Sequence, residues 1–99
     1  MPYKVVFSDG AVKQLRKLDK PIQKQIYNWI NKNLEGCEDP RIFGKGLTSN
    51  RSGQWRYRIG DYRIIAKITE QEEEQDGEKK KQPIVLILII GHRSSVYDE

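Results

Sequence analysis

The chain has 99 residues, of which 36% are hydrophobic and 32% charged, with a formal net charge of +4. This length and mixture predict one small folded domain, residues 1–99, and exclude a disordered chain. The longest apolar run, residues 84–90, is too short for a membrane span, and the absence of a basic-then-apolar leader argues against export, so we expect a cytoplasmic protein. One cysteine and one histidine exclude an internal disulfide and a zinc cage, and we expect no cofactor and no metal.

The first third of the chain predicts a strand followed by two helices. Residues 3–7 are β-branched or aromatic, which is typical of a short strand. Ser8 is a suitable N-cap for a first helix, and Pro21 favours the first turn of a second one that ends at Gly36. Each helix has one apolar face: Ala11, Leu15 and Leu18 in the first, and Ile22, Ile26, Trp29, Ile30 and Leu34 in the second. The short link between them predicts a helical hairpin.

The remainder predicts a loop and three strands. Residues 37–53 show no sustained period and are interpreted as a loop. Residues 54–59 and 62–69 alternate with period two around Gly60-Asp61, which favours a two-residue hairpin turn. Residues 70–82 are too charged to bury, so we expect an exposed and mobile connection there. The continuous apolar run 84–90 predicts a central strand with both faces covered, which completes an α+β fold of order β-α-α-β-β-β.

Charge is segregated along the chain. Residues 70–82 contain six acids and three lysines, whereas residues 41–67 contain seven bases against Asp61 alone: Arg41, Lys45, Arg51, Arg56, Arg58, Arg63 and Lys67. Such a local excess suits a polyanion, because its field attracts phosphate groups and arginine binds their oxygens bidentately. The alternative is a solvated surface that favours solubility.

The predicted hairpin places Arg58 directly opposite Arg63. Alternation puts Trp55, Tyr57, Ile59, Tyr62, Ile64 and Ala66 on one face, suited to a core, and leaves Arg56, Arg58, Arg63, Ile65 and Lys67 on the other. A like-charge cross-strand pair destabilises a sheet by ~0.2–1 kcal/mol, and a bound anion would relieve the repulsion. The alternative is structural neutralisation of these arginines by Asp98, Glu99 or the acidic segment 70–82.

A second group of polar residues follows the last strand. Histidine is the residue type best suited to proton transfer near neutral pH, so His92 is a candidate for that role, with a structural histidine as the equal alternative. Arg93 adds another guanidinium group. Tyr97 can stack on a base or donate a proton, or else anchor the tail.

Two motifs together resemble one protein family. The segment Trp55–Ile65 (WRYRIGDYRII), followed after an apolar strand by Gly91-His92-Arg93 and Val96-Tyr97, is similar to the RelE/ParE toxin superfamily, on its RelE side. The resemblance covers nearly the whole chain and implies a twisted antiparallel sheet packed against the helical hairpin. It implies a type II toxin that enters the ribosomal A site and cuts messenger RNA, with a cognate antitoxin as a further partner.

The resemblance also assigns roles to residues. It implies that Arg58, Arg63 and Arg93 bind the scissile phosphate, while His92 and Tyr97 move protons for attack by the 2′-OH. Arg56 is expected on the adjacent RNA backbone, and three further residues extend the phosphate-binding surface: Lys45, Arg51 and Lys67. Arginines stand where some members have lysines, which disfavours proton transfer at that pair.

Two other functions remain open at this point. A ParE-like inhibitor of DNA gyrase would share the fold. A catalytically inactive relative that binds RNA or a partner is also compatible, because no unambiguous general base is present.

Overall fold

The structure, a computed structural model, describes residues 1–96 with the exception of the Ser49 side chain. It contains two helices, α1 (Asp9–Arg16) and α2 (Lys20–Asn33). Five strands follow the order β1 (Lys4–Phe7), β2 (Lys45–Gly46), β3 (Gln54–Ile59), β4 (Tyr62–Gln75) and β5 (Glu78–His92). The predicted α+β class is therefore confirmed, with β2 as an additional strand.

The helix ends follow the sequence signals. Ser8 Oγ accepts a hydrogen bond from the Ala11 amide at 3.1 Å, which satisfies one of the free N–H groups at the start of α1. Pro21 lies in the first turn of α2. Gly36 adopts a left-handed conformation with φ 75° just after α2, and its amide donates to the Tyr3 carbonyl at 2.8 Å, so the chain turns back toward β1 there.

The five strands form one sheet in the order β1-β5-β4-β3-β2. β3, β4 and β5 pair antiparallel with their neighbours, as expected, but β1 lies parallel to β5, with Val5 opposite Val85. The sheet is therefore mixed rather than wholly antiparallel. The physical reason is that β1 pairs with the last strand and not with the next one, and the long intervening chain acts as the crossover that a parallel pair needs.

One face of the sheet packs against the two helices. Its buried residues come from the two helices, the end of α2, and strands β3, β4 and β5: Ala11, Ile26, Ile30, Leu34, Tyr57, Ile59, Ile64, Ala66, Val85, Ile87 and Ile90. The hairpin residues predicted for the core face all lie in this cluster or pack against it, so that prediction is confirmed. Below, this side of the sheet is called the helix face, and the opposite side the basic face.

The segment predicted as a loop has more structure than expected. Residues 37–53 contain two short 3₁₀ turns, Pro40–Phe43 and Ser49–Arg51, in addition to β2. β2 pairs through two residues only, Lys45 with Arg56 and Gly46 with Trp55. A two-residue strand is too short for any alternation of polar and apolar residues, so the sequence carries no period that would predict it.

Residues 70–82 form a β-ribbon, not a simple connection. The continuations of β4 and β5 stay paired to the turn at Asp76-Gly77, where both residues have positive φ. Three cross-strand pairs match opposite charges: Glu72 with Lys81, Glu73 with Lys80 and Glu74 with Lys79. Opposite charges at paired positions stabilise the ladder, so a segment too charged for a core is still well suited to a solvated ribbon.

β5 contains one irregularity. Ile65 pairs with Ile89 while Ala66 pairs with Ile87, so Leu88 is an extra residue in β5. The bulge reverses the alternation of the strand: Ile87 and Ile90 both reach the core of the helix face.

No helix among residues 1–96 has the length and apolar character needed to cross a membrane.

Candidate functional site

The β3–β4 hairpin carries the predicted basic residues in the predicted register. Arg58 pairs with Arg63, Arg56 with Ile65, and Tyr57 with Ile64. Since Tyr57 and Ile64 belong to the core of the helix face, Arg56, Arg58 and Arg63 lie on the basic face. The hairpin therefore presents a set of guanidinium groups on one side of the sheet.

The three arginines differ in exposure. Arg56 is 6% exposed and Arg63 is 8% exposed, whereas Arg58 is exposed to solvent. Arg63 Nη1 donates to the carbonyl oxygens of Gly60 and Tyr62, each at 3.0 Å. Arg63 thus helps to hold the hairpin turn, while Arg58 can reach an external ligand.

Lys45, Arg56 and Arg58 line one cavity. This cavity, of about 260 Å³, is bounded by the three basic residues together with Phe43 and Gly44. It lies where β2 begins at Lys45 and β3 continues toward the hairpin turn. We refer to it as the notch.

Arg93 lies at the same end of the sheet as the hairpin turn. Its amide donates to the Asp61 carbonyl at 2.8 Å, and its Nε lies 3.8 Å from Asp61 Oδ1. Both side chains are about two-thirds exposed, at 63% and 66%. An ion pair this exposed contributes little, ~0–1 kcal/mol, so the guanidinium group is available to a stronger anion such as phosphate.

His92 lies on the helix face, away from the arginines. It pairs with Tyr62, and the two rings meet edge to face with centroids 5.4 Å apart. His92 Nδ1 accepts the Ser94 amide at 3.1 Å and lies 2.8 Å from Ser94 Oγ. Because a backbone N–H only donates, Nδ1 is the acceptor and the imidazole steadies the turn after β5. The structure does not bring this predicted proton-transfer residue to the basic face.

Arg51 and Lys67 lie at the opposite end of the hairpin. Lys67 pairs with Gln54, whose Oε1 accepts a hydrogen bond from Arg51 Nη1 at 3.2 Å. Lys67 is four residues from Arg63 along β4, roughly 13 Å at ~3.3 Å per residue. These two residues thus form a separate distal group. Tyr97 lies outside the described residues, as do Asp98 and Glu99.

A small apolar cluster holds the segment around Val96 against the basic face. Leu47, Ile65 and Val96 are buried together, with Ile89 packed against them. Gly91 makes this contact possible, because a Cβ at Gly91 would lie 2.9 Å from Val96 Cγ2. Neither this cluster nor the contribution of Phe43 and Gly44 to the notch was predicted from the sequence. A glycine before the final turn is the one signal that could have indicated the close approach.

The basic face can supply positive charge and hydrogen-bond donors. Arginine does not deprotonate in proteins, so these side chains can stabilise an anion but cannot serve as a general base. The arrangement suits the binding of phosphate groups along an extended strand of nucleic acid.

Comparison with known proteins identifies the family. Residues 5–97 match the family model described as the ParE toxin of type II toxin-antitoxin system, parDE. The chain belongs to the ParE toxin family. Toxin RelG of Mycobacterium tuberculosis is 28% identical to this ParE-family chain over 97 residues, which cover 98% of both proteins. A putative RelE-like toxin protein of Escherichia coli is 27% identical over 101 residues, covering 99% of this chain and 93% of that protein.

A solved structure supports the same relationship. The crystal structure of the toxin–antitoxin complex RelBE2 from Mycobacterium tuberculosis matches with a TM-score of 0.73 and 28% sequence identity, covering 94% of this ParE-family chain and 100% of that one. The resemblance to the RelE/ParE superfamily is thus confirmed, as is the α+β fold that it implied, with a sheet that is mixed because β1 is parallel to β5.

Proposed function

We propose that this toxin cleaves messenger RNA in the A site of the ribosome and so inhibits translation in the cytoplasm. The 2′-OH of one nucleotide attacks the adjacent phosphorus, the bond to the 5′ oxygen of the next nucleotide breaks, and the products carry a 2′,3′-cyclic phosphate and a 5′-OH. The reaction requires no cofactor. Close relatives named as RelG and RelE-like toxins support the assignment to the RelE side of the superfamily.

The observation that carries the proposal is the line of cationic groups on the basic face. Arg93 and Arg58 are exposed near the hairpin turn. Lys45, on β2, is also exposed and pairs with Arg56 on β3. Attack of the 2′-OH places an additional negative charge on the phosphoryl oxygens. A preorganised donor at a developing oxyanion lowers the barrier by ~2.7–4 kcal/mol, so two or three such groups supply much of the catalysis.

Each basic residue has an assigned role in this proposal. Arg58, Arg63 and Arg93 bind the scissile phosphate, with Arg63 also holding the hairpin turn. Arg56 contacts the adjacent RNA backbone. Three further residues bind flanking phosphates: Lys45, and the distal pair Arg51 and Lys67.

Proton transfer is assigned to Tyr97. His92 is oriented toward Tyr62 and bonded to Ser94, which does not favour a part in the reaction. We therefore assign activation of the 2′-OH to Tyr97, and protonation of the leaving 5′ oxygen to a water molecule bound by an arginine. General acid–base help of this kind contributes ~10²–10⁴-fold in rate.

We also propose that a cognate antitoxin binds and neutralises the toxin. The solved relative is a toxin–antitoxin complex, and the matched family belongs to type II systems. Co-expression with a small acidic-tailed protein encoded beside this chain should restore growth and yield a stable complex on purification.

A ParE-like inhibitor of DNA gyrase is the second candidate, favoured by the name of the matched family. A catalytically inactive relative is the third. Induced expression in a bacterial host separates the three. We expect new messenger 5′ ends inside codons that disappear when translation is blocked. DNA damage with intact messages would instead support gyrase inhibition, and growth without either effect would support an inactive protein.

A further inference from the structure

The notch combines two chemical surfaces that no role assigned so far uses together. Lys45 and Arg58, both exposed, contribute cationic groups to its lining. Phe43 contributes an aromatic wall. An anionic group and a flat apolar group joined in one ligand would satisfy both surfaces at once.

Phe43 is held in position by the core. Its ring meets Trp29 edge to face, with centroids 6.4 Å apart and an interplanar angle of 83°. Trp29 in turn packs against the buried Tyr57, at 5.6 Å. The Phe43 ring is therefore a fixed wall, and a ligand that contacts it does not have to order a mobile side chain.

Gly44 determines the shape of the notch. A Cβ at Gly44 would lie 2.3 Å from the Arg56 carbonyl oxygen and 2.7 Å from Tyr57 Cδ1. Only a glycine allows the chain to approach β3 this closely between Phe43 and Lys45. This close approach brings the aromatic wall and the lysine to neighbouring sides of the same cavity.

The size and chemistry of the notch suit one nucleotide. Its volume of about 260 Å³ is just below the ~300–1,000 Å³ of pockets for drug-sized ligands. Proteins that bind single-stranded nucleic acid combine a cationic groove for the backbone with aromatic rings for the bases. An acidic peptide would use the cations but would leave the aromatic wall without a flat partner.

We propose that the notch binds one unpaired nucleotide that flanks the scissile bond, with its phosphate at Lys45, the scissile phosphate beyond it at Arg58, and its base against Phe43. This inference rests on the proposed function and adds a base-binding subsite to it. RNA would run along the part of β3 that extends beyond its pairing with β2, from the scissile phosphate near the hairpin turn to the notch. The phosphate contacts along the whole basic face set the register of a short RNA, whereas the subsite itself accepts any base, because every base has an aromatic face.

A binding experiment with RNA that cannot be cleaved tests the subsite apart from catalysis. The probe is a labelled 2′-O-methyl hexanucleotide, together with versions in which one base at a time is replaced by an abasic unit. For the wild-type chain, we expect one abasic position to weaken binding about tenfold and the others to have little effect. For Phe43→Leu, we expect about tenfold weaker binding of the intact RNA and no further loss at that position.

Two variants control the interpretation. Tyr27→Leu removes an exposed aromatic ring on α2, at 51% exposure, and should leave RNA affinity unchanged. Lys45→Gln changes an exposed side chain without touching the core. It should weaken binding of every RNA version and reduce the salt dependence by about 0.7 in the log–log slope, as expected for one lost contact with single-stranded RNA. The Lys45 variant keeps the test valid if Phe43→Leu fails to fold.

The outcomes are distinct from those of the proposed function. Equal abasic effects in the wild type and Phe43→Leu, or a Lys45→Gln variant with unchanged affinity and salt slope, would overturn the subsite even if the toxin cuts messenger RNA. Competition by an acidic peptide, with no abasic position standing out, would identify the notch as a peptide site instead. If one abasic position weakens RNA binding in a protein that does not cut messenger RNA, the proposed subsite is supported and the proposed nuclease activity is contradicted.

Discussion

Arg63 combines an observed contact with the hairpin turn and a proposed contact with phosphate, and a substitution would disturb both. Its guanidinium group is almost buried and donates twice to the carbonyl oxygens of the hairpin turn. Arg58, its cross-strand partner, is exposed. Loss of activity after removal of Arg63 would therefore mix a structural effect with an electrostatic one, whereas Arg58 reports on the charge of the basic face.

The two arginines should differ in their effect on stability. Arg63→Ala removes hydrogen bonds from a buried charged donor and should lower the free energy of unfolding by ~1–3 kcal/mol. Arg58→Ala relieves a like-charge pair at an exposed position and should change it by less than ~0.5 kcal/mol. Urea denaturation followed by circular dichroism measures both. Equal losses in the two variants would contradict the structural role given to Arg63.

Tyr57 links stability to alkaline pH. Its ring is buried, its hydroxyl donates to the Pro40 carbonyl at 2.8 Å, and burial raises the pKa of this hydroxyl well above the ordinary tyrosine value. The unfolded chain ionises Tyr57 at about pH 10, while the folded chain keeps the proton. Above that pH the unfolded state binds fewer protons, so stability falls as the pH rises.

Tyr57→Phe isolates this effect. Near neutral pH, the variant should be less stable by ~1 kcal/mol because the hydrogen bond to Pro40 is lost. Above about pH 10, the difference from the wild type should shrink by at most ~1.4 kcal/mol per pH unit. Denaturation across this range measures the difference, with Tyr27→Phe as the exposed control. A difference that stays constant with pH would show that Tyr57 ionises equally in both states.

At the scale of elements, local patterns predicted the hairpin correctly. Polar and apolar residues alternate through β3 and β4, and the Gly60-Asp61 turn fixes the register, so the position of Arg58 opposite Arg63 could be derived from the sequence. The parallel pairing of β1 with β5 could not be derived from the sequence, because it joins strands that are some 80 residues apart. β2 was not predicted, because a strand of two residues is too short to show an alternation of polar and apolar residues.

The bulge at Leu88 explains why the location of His92 was not predictable. Val85 and Ile87 face the helices, and regular alternation from them would place residue 92 on the basic face, next to the arginines. The extra residue reverses the alternation and turns His92 toward Tyr62. Bulges depend on tertiary context, here on contacts such as that of Ser8 Oγ with the Leu88 carbonyl at 3.3 Å.

The β-ribbon should be separable from the rest of the fold. Thr69 and Ile84 pair directly, so a chain in which residues 70–83 are replaced by Asn-Gly can close a two-residue hairpin there. It loses the exposed ion pair between Lys4 and Glu73, and a hydrogen bond from Gln82 to the Pro2 carbonyl. We expect a folded protein, less stable by ~1–2 kcal/mol, that still inhibits growth.

Circular dichroism measures the stability of the shortened protein, and colony counts after induction measure its inhibition of growth. The ribbon carries none of the residues assigned to RNA, and its lysines are paired with glutamates. A shortened protein that folds but no longer inhibits growth would show that the ribbon is part of the functional surface.

At the scale of the whole molecule, the two faces of the sheet carry different kinds of residue. The helix face buries the main core, while the basic face carries the arginines around a small apolar cluster. The charge of that face could be predicted from the sequence, because it depends on alternation alone. The notch and the packing of Val96 against Gly91 could not be predicted, since both depend on glycines that permit a close approach of two segments.

The most direct test uses purified ribosomes halted with a defined codon in the A site. We expect the wild-type protein to cut the message within that codon, leaving a 5′-OH end. Arg58→Ala should slow single-turnover cleavage ~10²–10³-fold, as for one lost oxyanion donor. Lys24→Ala, an exposed change on α2, should cut at the wild-type rate. An uncut message, or an Arg58→Ala variant as fast as the wild type, would contradict catalysis by the basic face.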